Sequence, residues 1–154
     1  MRERRSGSWR GGVRKPDGKV IVLDTWAVLA YLQAEPAAQE VRQSLRRARR
    51  GEVSILLSII NFGECLYVIE RRQGLQRALS DANIIDELAL EVVPVDRPLV
   101  FAAAHLKARY PISYADAFAA ALAKRNHARL MTGDPEFKAV EPEVAIQWLP
   151  ARRG

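Results

Sequence analysis

Short runs of apolar residues alternate with longer amphipathic segments from Val20 onward. The first run, Val20 to Leu23, contains no polar position, which is typical of a strand buried on both faces. Four further runs have a similar character. The five predicted strands cover residues 20–23, 53–57, 90–95, 128–131 and 144–149.

The segments between these runs repeat apolar residues every three or four positions, as one face of a helix does. In the second segment Ala37, Val41, Leu45 and Ala48 keep this spacing until Gly51 ends the helix. The six predicted helices cover residues 25–33, 36–50, 58–73, 75–88, 97–109 and 113–125.

Apolar strands that alternate with helices indicate βα units, so the sequence predicts an α/β fold with a mainly parallel, five-stranded sheet. In such sheets ligands bind beyond the carboxyl ends of the strands, where the strand order reverses. We expect one domain over residues 20–150, with a short basic tail at 151–154.

Composition excludes several classes of protein. The longest uncharged stretch, Val53 to Gly63, has 11 residues, whereas a membrane span needs about 20. The Arg-rich start has no apolar segment of a secretory signal behind it. One cysteine and two histidines exclude an internal disulfide and a thiolate metal cluster. The sequence therefore predicts a cytoplasmic protein without a membrane segment.

The net charge of +6 comes mostly from the first 19 residues, which hold seven cations and two anions. Because this segment also contains little that a core would bury, we expect a disordered basic tail. Such a tail can add affinity for nucleic acid through counterion release. A start assigned too far upstream would explain it equally well.

Four carboxylates stand near the expected carboxyl ends of strands: Asp24, Glu64, Asp116 and Asp134. Each of the three aspartates also fits a helix cap. Asp24 precedes a predicted helix, Asp116 lies in the first turn of another, and Asp134 is followed by a proline. Glu64 interrupts an otherwise apolar run, so its charge needs a partner or a solvated cleft. Clustered carboxylates repel one another unless a hard cation such as Mg²⁺ or Mn²⁺ lies among them. Two such ions can clamp a phosphodiester.

The sequence resembles PIN-domain proteins, and more narrowly the VapC ribonuclease toxins, over residues 20–150. The resemblance rests on four motifs in order: Val22-Leu23-Asp24-Thr25, the segment from Ser58 to Glu64, the segment from Ile112 to Phe118, and the segment from Thr132 to Phe137. It implies a three-layer α/β/α sandwich and an endoribonuclease that depends on Mg²⁺ or Mn²⁺.

By the same resemblance, Asp24, Glu64 and Asp116 are the principal metal ligands and Asp134 is the fourth acid. Further polar residues that it places in the site are Thr25, Asn61 and Thr132. The resemblance implies a homodimer that joins a VapB-type antitoxin, in a complex that can be larger, and an RNA substrate of either the tRNA or the ribosomal class.

Arginines at two helix ends, Arg46 and Arg47, and Arg71 and Arg72, are candidate RNA contacts, although cations there also favour the helix dipole and solubility. Two other functions stay open. The first is a PIN module that binds RNA or protein without cleaving. The second is a receiver-like phosphoacceptor domain, which also gathers acids around Mg²⁺.

Overall fold

The computed structural model describes residues 19–151, so the predicted tails lie outside the described residues except for Lys19 and Ala151. Strands and helices alternate along the chain as the apolar pattern predicts. In chain order they are β1 (Val20–Leu23), α1 (Thr25–Leu32), α2 (Ala38–Arg49), β2 (Ser54–Ser58), α3 (Ile59–Gln73), α4 (Leu75–Glu87), β3 (Glu91–Val93), α5 (Arg97–Arg109), α6 (Tyr114–Arg125), β4 (Arg129–Thr132), a 3₁₀ helix (Pro135–Val140) and β5 (Ile146–Trp148).

The five strands form one sheet in the order β3-β2-β1-β4-β5. Each of the four strand pairings within residues 19–151 is parallel, and Ile21 lies between Ile55 of β2 and Arg129 of β4. The strand order reverses between β1 and β4, which is where a parallel sheet of this kind binds ligands. Receiver-like domains have the order 2-1-3-4-5, so the sheet excludes the receiver-like alternative.

Alternate residues of the central strand face opposite layers of helices. Val20 and Val22 pack in a core with α5 and α6, whereas Ile21 and Leu23 pack in a second core with α1 to α4. All four side chains are at most 4% exposed, and burying each contributes about 1.5–3 kcal/mol. The predicted α/β/α sandwich is therefore confirmed, and the absence of polar positions in β1 follows from burial on both faces.

The main differences from the predicted elements lie at their ends. The edge strands β3 and β5 are shorter than predicted, since each pairs along one side only. Ser58 ends β2 and also caps α3, where its Oγ accepts a hydrogen bond from the N–H of Ile60 at 3.2 Å. Helix α2 begins at Ala38 rather than at Pro36. The apolar pattern does not predict the 3₁₀ helix, because a six-residue helix shows no apolar periodicity; only the cap pattern of Asp134 and Pro135 indicates it.

The end of α2 matches the prediction from Gly51, which follows the helix with a φ angle of 73°. Gly74 follows α3 in a similar way with a φ angle of 87°, and residues with a Cβ rarely adopt positive φ. Within the described part of the chain, no helix combines the length and apolar character that crossing a membrane requires.

Candidate active site

Asp24 lies at the carboxyl end of β1 and is 1% exposed. One carboxylate oxygen, Oδ1, accepts from the N–H of Ala27 at 2.8 Å and so caps α1. The other, Oδ2, accepts from the hydroxyl of Thr132 at 2.5 Å. Burial raises the pKa of Asp24 to about 8; the two hydrogen bonds oppose this, and the nearby charges of Asp116 and Asp134 add to it. The capping and site interpretations of Asp24 are thus compatible, since each uses a different oxygen.

Thr132, the last residue of β4, connects two of the four acids. Its Oγ donates to Asp24 and accepts from the backbone N–H of Asp134 at 3.0 Å. Asp134 in turn caps the 3₁₀ helix, because its Oδ1 accepts from the N–H of Glu136 at 3.0 Å. The Asp-Pro interpretation of Asp134 as a cap is confirmed, with the helix beginning at Pro135.

Asp116 lies in the first turn of α6 and is 7% exposed. Its backbone N–H donates to the Oγ of Ser113 at 3.1 Å, so Ser113 is the cap and the Asp116 carboxylate is not needed for that bond. Burial raises the pKa of Asp116 to about 7, with an opposing effect of Ser113 and further increases from the charges of Asp134, Glu64 and Glu136. Folding therefore holds this carboxyl close to other acids at an energetic cost.

Glu64 is half-buried in the second turn of α3 and accepts a hydrogen bond from the hydroxyl of Tyr67 at 3.0 Å. The next residue, Cys65, is fully buried on the other side of the helix, where its Sγ lies 4.0 Å from the carbonyl oxygen of Thr25. Burial raises the pKa of the Cys65 thiol, and the negative charge of Asp24 adds to this effect.

Asn61 and Thr25 join three helices behind the acids. The Asn61 amide donates to the Thr25 hydroxyl and to the carbonyl oxygen of Ala115, each at 3.2 Å. The Thr25 hydroxyl donates to the carbonyl oxygen of Asn61 at 3.4 Å. Both side chains are buried. Because Ala115 precedes Asp116, these bonds hold the first turn of α6 against α1 and α3.

The four acids predicted from sequence line a single cleft of about 220 Å³ at the β1–β4 reversal point. Thr25, three apolar residues and one cation complete its lining. The full set is Asp24, Thr25, Trp26, Leu29, Glu64, Val68, Arg72, Asp116 and Asp134. The structure thus brings together acids from the ends of β1 and β4, from the second turn of α3 and from the first turn of α6.

The four candidate RNA-binding arginines lie in different places. Arg72 lines the cleft, and Arg71 lies with its guanidinium carbon 4.9 Å from the ring centre of Tyr67. Arg46 lines a separate groove of about 210 Å³ together with Arg42 and Arg49. Arg47 forms an ion pair with Glu52 at 3.3 Å. Of these four arginines, therefore, Arg72 is the one that lines the acidic cleft.

Among residues 19–151, a group of three acids that could hold a metal ion includes one that was not predicted from the sequence. One oxygen each from Asp116, Asp134 and Glu136 lie within 4.8 Å of one another. Glu136 is exposed in the first turn of the 3₁₀ helix, two residues after Asp134. A donor set made only of carboxylate oxygens fits a hard divalent cation such as Mg²⁺ or Mn²⁺.

The fold is shared with several toxin–antitoxin structures. VapBC2 from Rickettsia felis, bound to a fragment of its promoter DNA, has a TM-score of 0.69 and 18% identity over 85% of this chain and 99% of that chain. DNA-bound VapBC from Salmonella typhimurium has a TM-score of 0.66 and 20% identity over 84% and 97%. VapC20 from Mycobacterium tuberculosis, described as a toxin that cleaves the sarcin–ricin loop, has a TM-score of 0.60 and 22% identity over 84% and 99%.

Among curated proteins, none matches this sequence significantly. The PIN domain family model matches residues 21–142, a segment that contains all the acids of the cleft, the strands β2 to β4 and all of β1 except Val20. The protein therefore belongs to the PIN domain family.

Proposed function

We propose that the protein is a metal-dependent endoribonuclease and the toxin of a toxin–antitoxin pair. The observation that carries this proposal is the convergence of Asp24, Glu64, Asp116 and Asp134, from four separate elements, on one cleft at the sheet's reversal point. Family membership and the fold shared with VapC-type toxins support the toxin assignment. The alternative of a PIN module that binds without cleaving has no specific observation in its favour.

Asp116, Asp134 and Glu136 would hold one Mg²⁺ or Mn²⁺ ion, because their oxygens lie closest together. Asp24 and Glu64 line the same cleft and would complete the coordination or hold a second ion. When bound, the cation supplies Lewis-acid activation of the phosphodiester and of the attacking water. Thr132 orients Asp24 through its hydrogen bond, and Arg72, which lines the cleft, would contact a phosphate of the RNA.

The proposed partners follow from the same fold relationships. Two of the structures described above are VapBC complexes, so we propose a VapB-type antitoxin as the neutralising partner and the cytoplasm as the site of action. RNA of the tRNA or ribosomal class is the proposed substrate.

We also propose a homodimer, supported by large apolar side chains that are exposed on α4 and α5: Leu75, Leu79, Ile84 and Phe101.

The direct test uses purified protein and structured RNA with Mg²⁺, with Mn²⁺ or with EDTA. We expect cleavage only with metal, and products with a 5′-phosphate and a 3′-hydroxyl. Asp24→Asn and Asp134→Asn should abolish cleavage, whereas Glu40→Gln, a change on α2 outside the cleft, should not. Cleavage in EDTA, or products with a 2′,3′-cyclic phosphate, would contradict the mechanism. Metal-independent RNA binding without cleavage would favour the non-cleaving PIN module.

The toxin role is tested in cells. Expression of the wild-type protein should arrest growth, the Asp24→Asn variant should not, and co-expression of the antitoxin from the adjacent reading frame should restore growth. Growth arrest by the Asp24→Asn variant as well would separate toxicity from nuclease chemistry.

A further inference from the structure

The indole ring of Trp26 lies directly against the backbone of Gly133. A Cβ built on Gly133 would overlap ring atom Cη2 and would lie 2.5 Å from Cζ2 and 2.6 Å from Cζ3. Real Cβ atoms do not approach other atoms so closely. A Cβ at position 133 would therefore force the indole ring or the backbone of residue 133 to shift. The backbone angles of Gly133 are not the cause, because its φ is not among the positive values.

Gly133 lies between two residues of the cleft. On one side, Thr132 is hydrogen-bonded to Asp24 and to the N–H of Asp134. On the other side, Asp134 contributes an oxygen to the grouping with Asp116 and Glu136. The segment from Thr132 to Asp134 is thus held by hydrogen bonds at Thr132 and by the indole ring at Gly133.

Trp26 is itself held in place by the fold. It lies in the first turn of α1, two residues after Asp24, and packs against the core formed with α1 to α4. It is partly exposed and lines the cleft together with Leu29 and Val68. An aromatic ring with two side-chain torsions, packed on one side and in contact with a backbone on the other, has little freedom to move.

We propose that Trp26 is a positioning residue that holds the segment from Thr132 to Asp134 so that the Asp134 carboxylate faces Asp116 and Glu136 at the spacing a divalent cation needs. The inference rests on the proposed function, since it assumes that this grouping binds a cation. Residues that orient metal ligands without touching the metal affect its affinity by about 10–100-fold when they are changed. The indole contact with Gly133 is the route by which Trp26 would do so.

A double-mutant cycle tests the contact and its effect on metal binding together. The variants are Trp26→Ala, Gly133→Ala and the double variant, and Gly63→Ala is the control because a Cβ there meets nothing within 4 Å. Two quantities are measured: the melting temperature in EDTA, and Mn²⁺ affinity from the EPR signal of free Mn²⁺. Trp26→Phe, which keeps a smaller ring, serves as the second variant if Trp26→Ala does not fold.

We expect each single change to weaken Mn²⁺ binding about tenfold or more, and Trp26→Phe to have an intermediate effect. The double variant should bind Mn²⁺ within about threefold of Trp26→Ala, because removing the ring makes room for the Cβ. Gly63→Ala should leave Mn²⁺ affinity unchanged within about twofold.

Three outcomes would overturn the inference. In the first, Trp26→Ala and Trp26→Phe lower the melting temperature but leave Mn²⁺ affinity unchanged, which would mean that Trp26 is only part of the core. In the second, the effects of the single changes multiply in the double variant, which would mean that the two positions act independently. In the third, the wild-type protein binds no Mn²⁺ and cleaves no RNA, which would overturn the proposed function as well.

Discussion

The hydroxyl of Thr132 lies 2.5 Å from Oδ2 of Asp24, and the two residues are 108 positions apart in the chain. This hydrogen bond connects the carboxyl ends of β1 and β4, the two strands between which the sheet order reverses. The same hydroxyl accepts from the N–H of Asp134. Thr132 therefore ties together two acids that otherwise belong to separate strands.

Replacing Thr132 with Val should test this connection, because Val keeps the shape and removes the hydroxyl. The change leaves the N–H of Asp134 without its acceptor and Asp24 without a hydrogen bond that lowers its pKa. Leaving a buried polar group unpaired costs about 1–3 kcal/mol, so we expect a lower melting temperature and weaker RNA cleavage. Thr132→Ser keeps the hydroxyl and is the matched control. Equal behaviour of the Val variant and the wild type would show that the hydrogen bond contributes nothing.

In EDTA, the free energy of unfolding should decrease as the pH rises toward 8. Folding raises the pKa of Asp24 to about 8 and of Asp116 to about 7, from an ordinary value of 3.8. The folded protein therefore keeps protons that the unfolded chain releases above about pH 4. The free energy of unfolding should fall as the pH rises toward 8, by at most about 1.4 kcal/mol per pH unit for each carboxyl, and should then level off.

Urea denaturation in EDTA between pH 5.5 and pH 9 measures this dependence. Glu143, whose pKa the neighbouring cations lower to about 2, acts in the opposite direction but only below its ordinary pKa of 4.5, outside this window. The variant Asp24→Asn/Asp116→Asn should show a flatter profile. A wild-type stability that rises with pH across the window would contradict the shifts of both carboxyls.

Asp116→Asn should raise the melting temperature of the metal-free protein at pH 8.5. The change removes one of several close negative charges, and a close like-charge pair costs up to a few kcal/mol at an effective dielectric near 20. Each kcal/mol corresponds to about 2–4 °C for a protein of this size. The cap of α6 is retained, because Ser113 accepts from the backbone N–H of residue 116.

With excess Mn²⁺ the wild type should instead melt at a higher temperature than Asp116→Asn. A ligand that binds only the folded state stabilises it by about 2.7 kcal/mol at 100 times its Kd, and the variant should lose most of this gain. Asp86→Asn, a change at an exposed position of α4, is the control that removes one charge outside the cleft. A variant that is less stable than the wild type in EDTA, yet is stabilised equally by Mn²⁺, would mean that Asp116 acts only within its helix.

Arg72→Gln should raise the KM for RNA more than Arg47→Gln does. Arg72 lines the cleft, whereas Arg47 lies against Glu52 in an ion pair outside the cleft. Loss of one phosphate contact should also flatten the log–log salt dependence of binding by up to about one unit. Steady-state cleavage rates measure the KM, and titrations of RNA binding at several salt concentrations measure the salt dependence. Equal changes of the KM and of the salt dependence in the two variants would show that Arg72 makes no specific contact with the RNA.

The sequence by itself determined the class of the fold and the identity of the main acids. A strand such as Val20–Leu23 is buried on both faces, so its apolar run can be recognised without knowledge of its neighbours. Asp24 follows such a run directly, Asp134 follows another run after two intervening residues, and the order of four motifs supplied the resemblance to PIN domains that the family model confirms.

The tertiary structure alone decided which residues meet. The strand order β3-β2-β1-β4-β5 places β4 beside β1 and thereby Thr132 beside Asp24, and strand pairing between distant segments leaves no periodic signal in either of them. The contact of Trp26 with Gly133 and the approach of Glu136 to Asp116 are likewise unmarked in sequence. They depend on side-chain directions set by packing, whereas local apolar patterns record only which face of an element is buried.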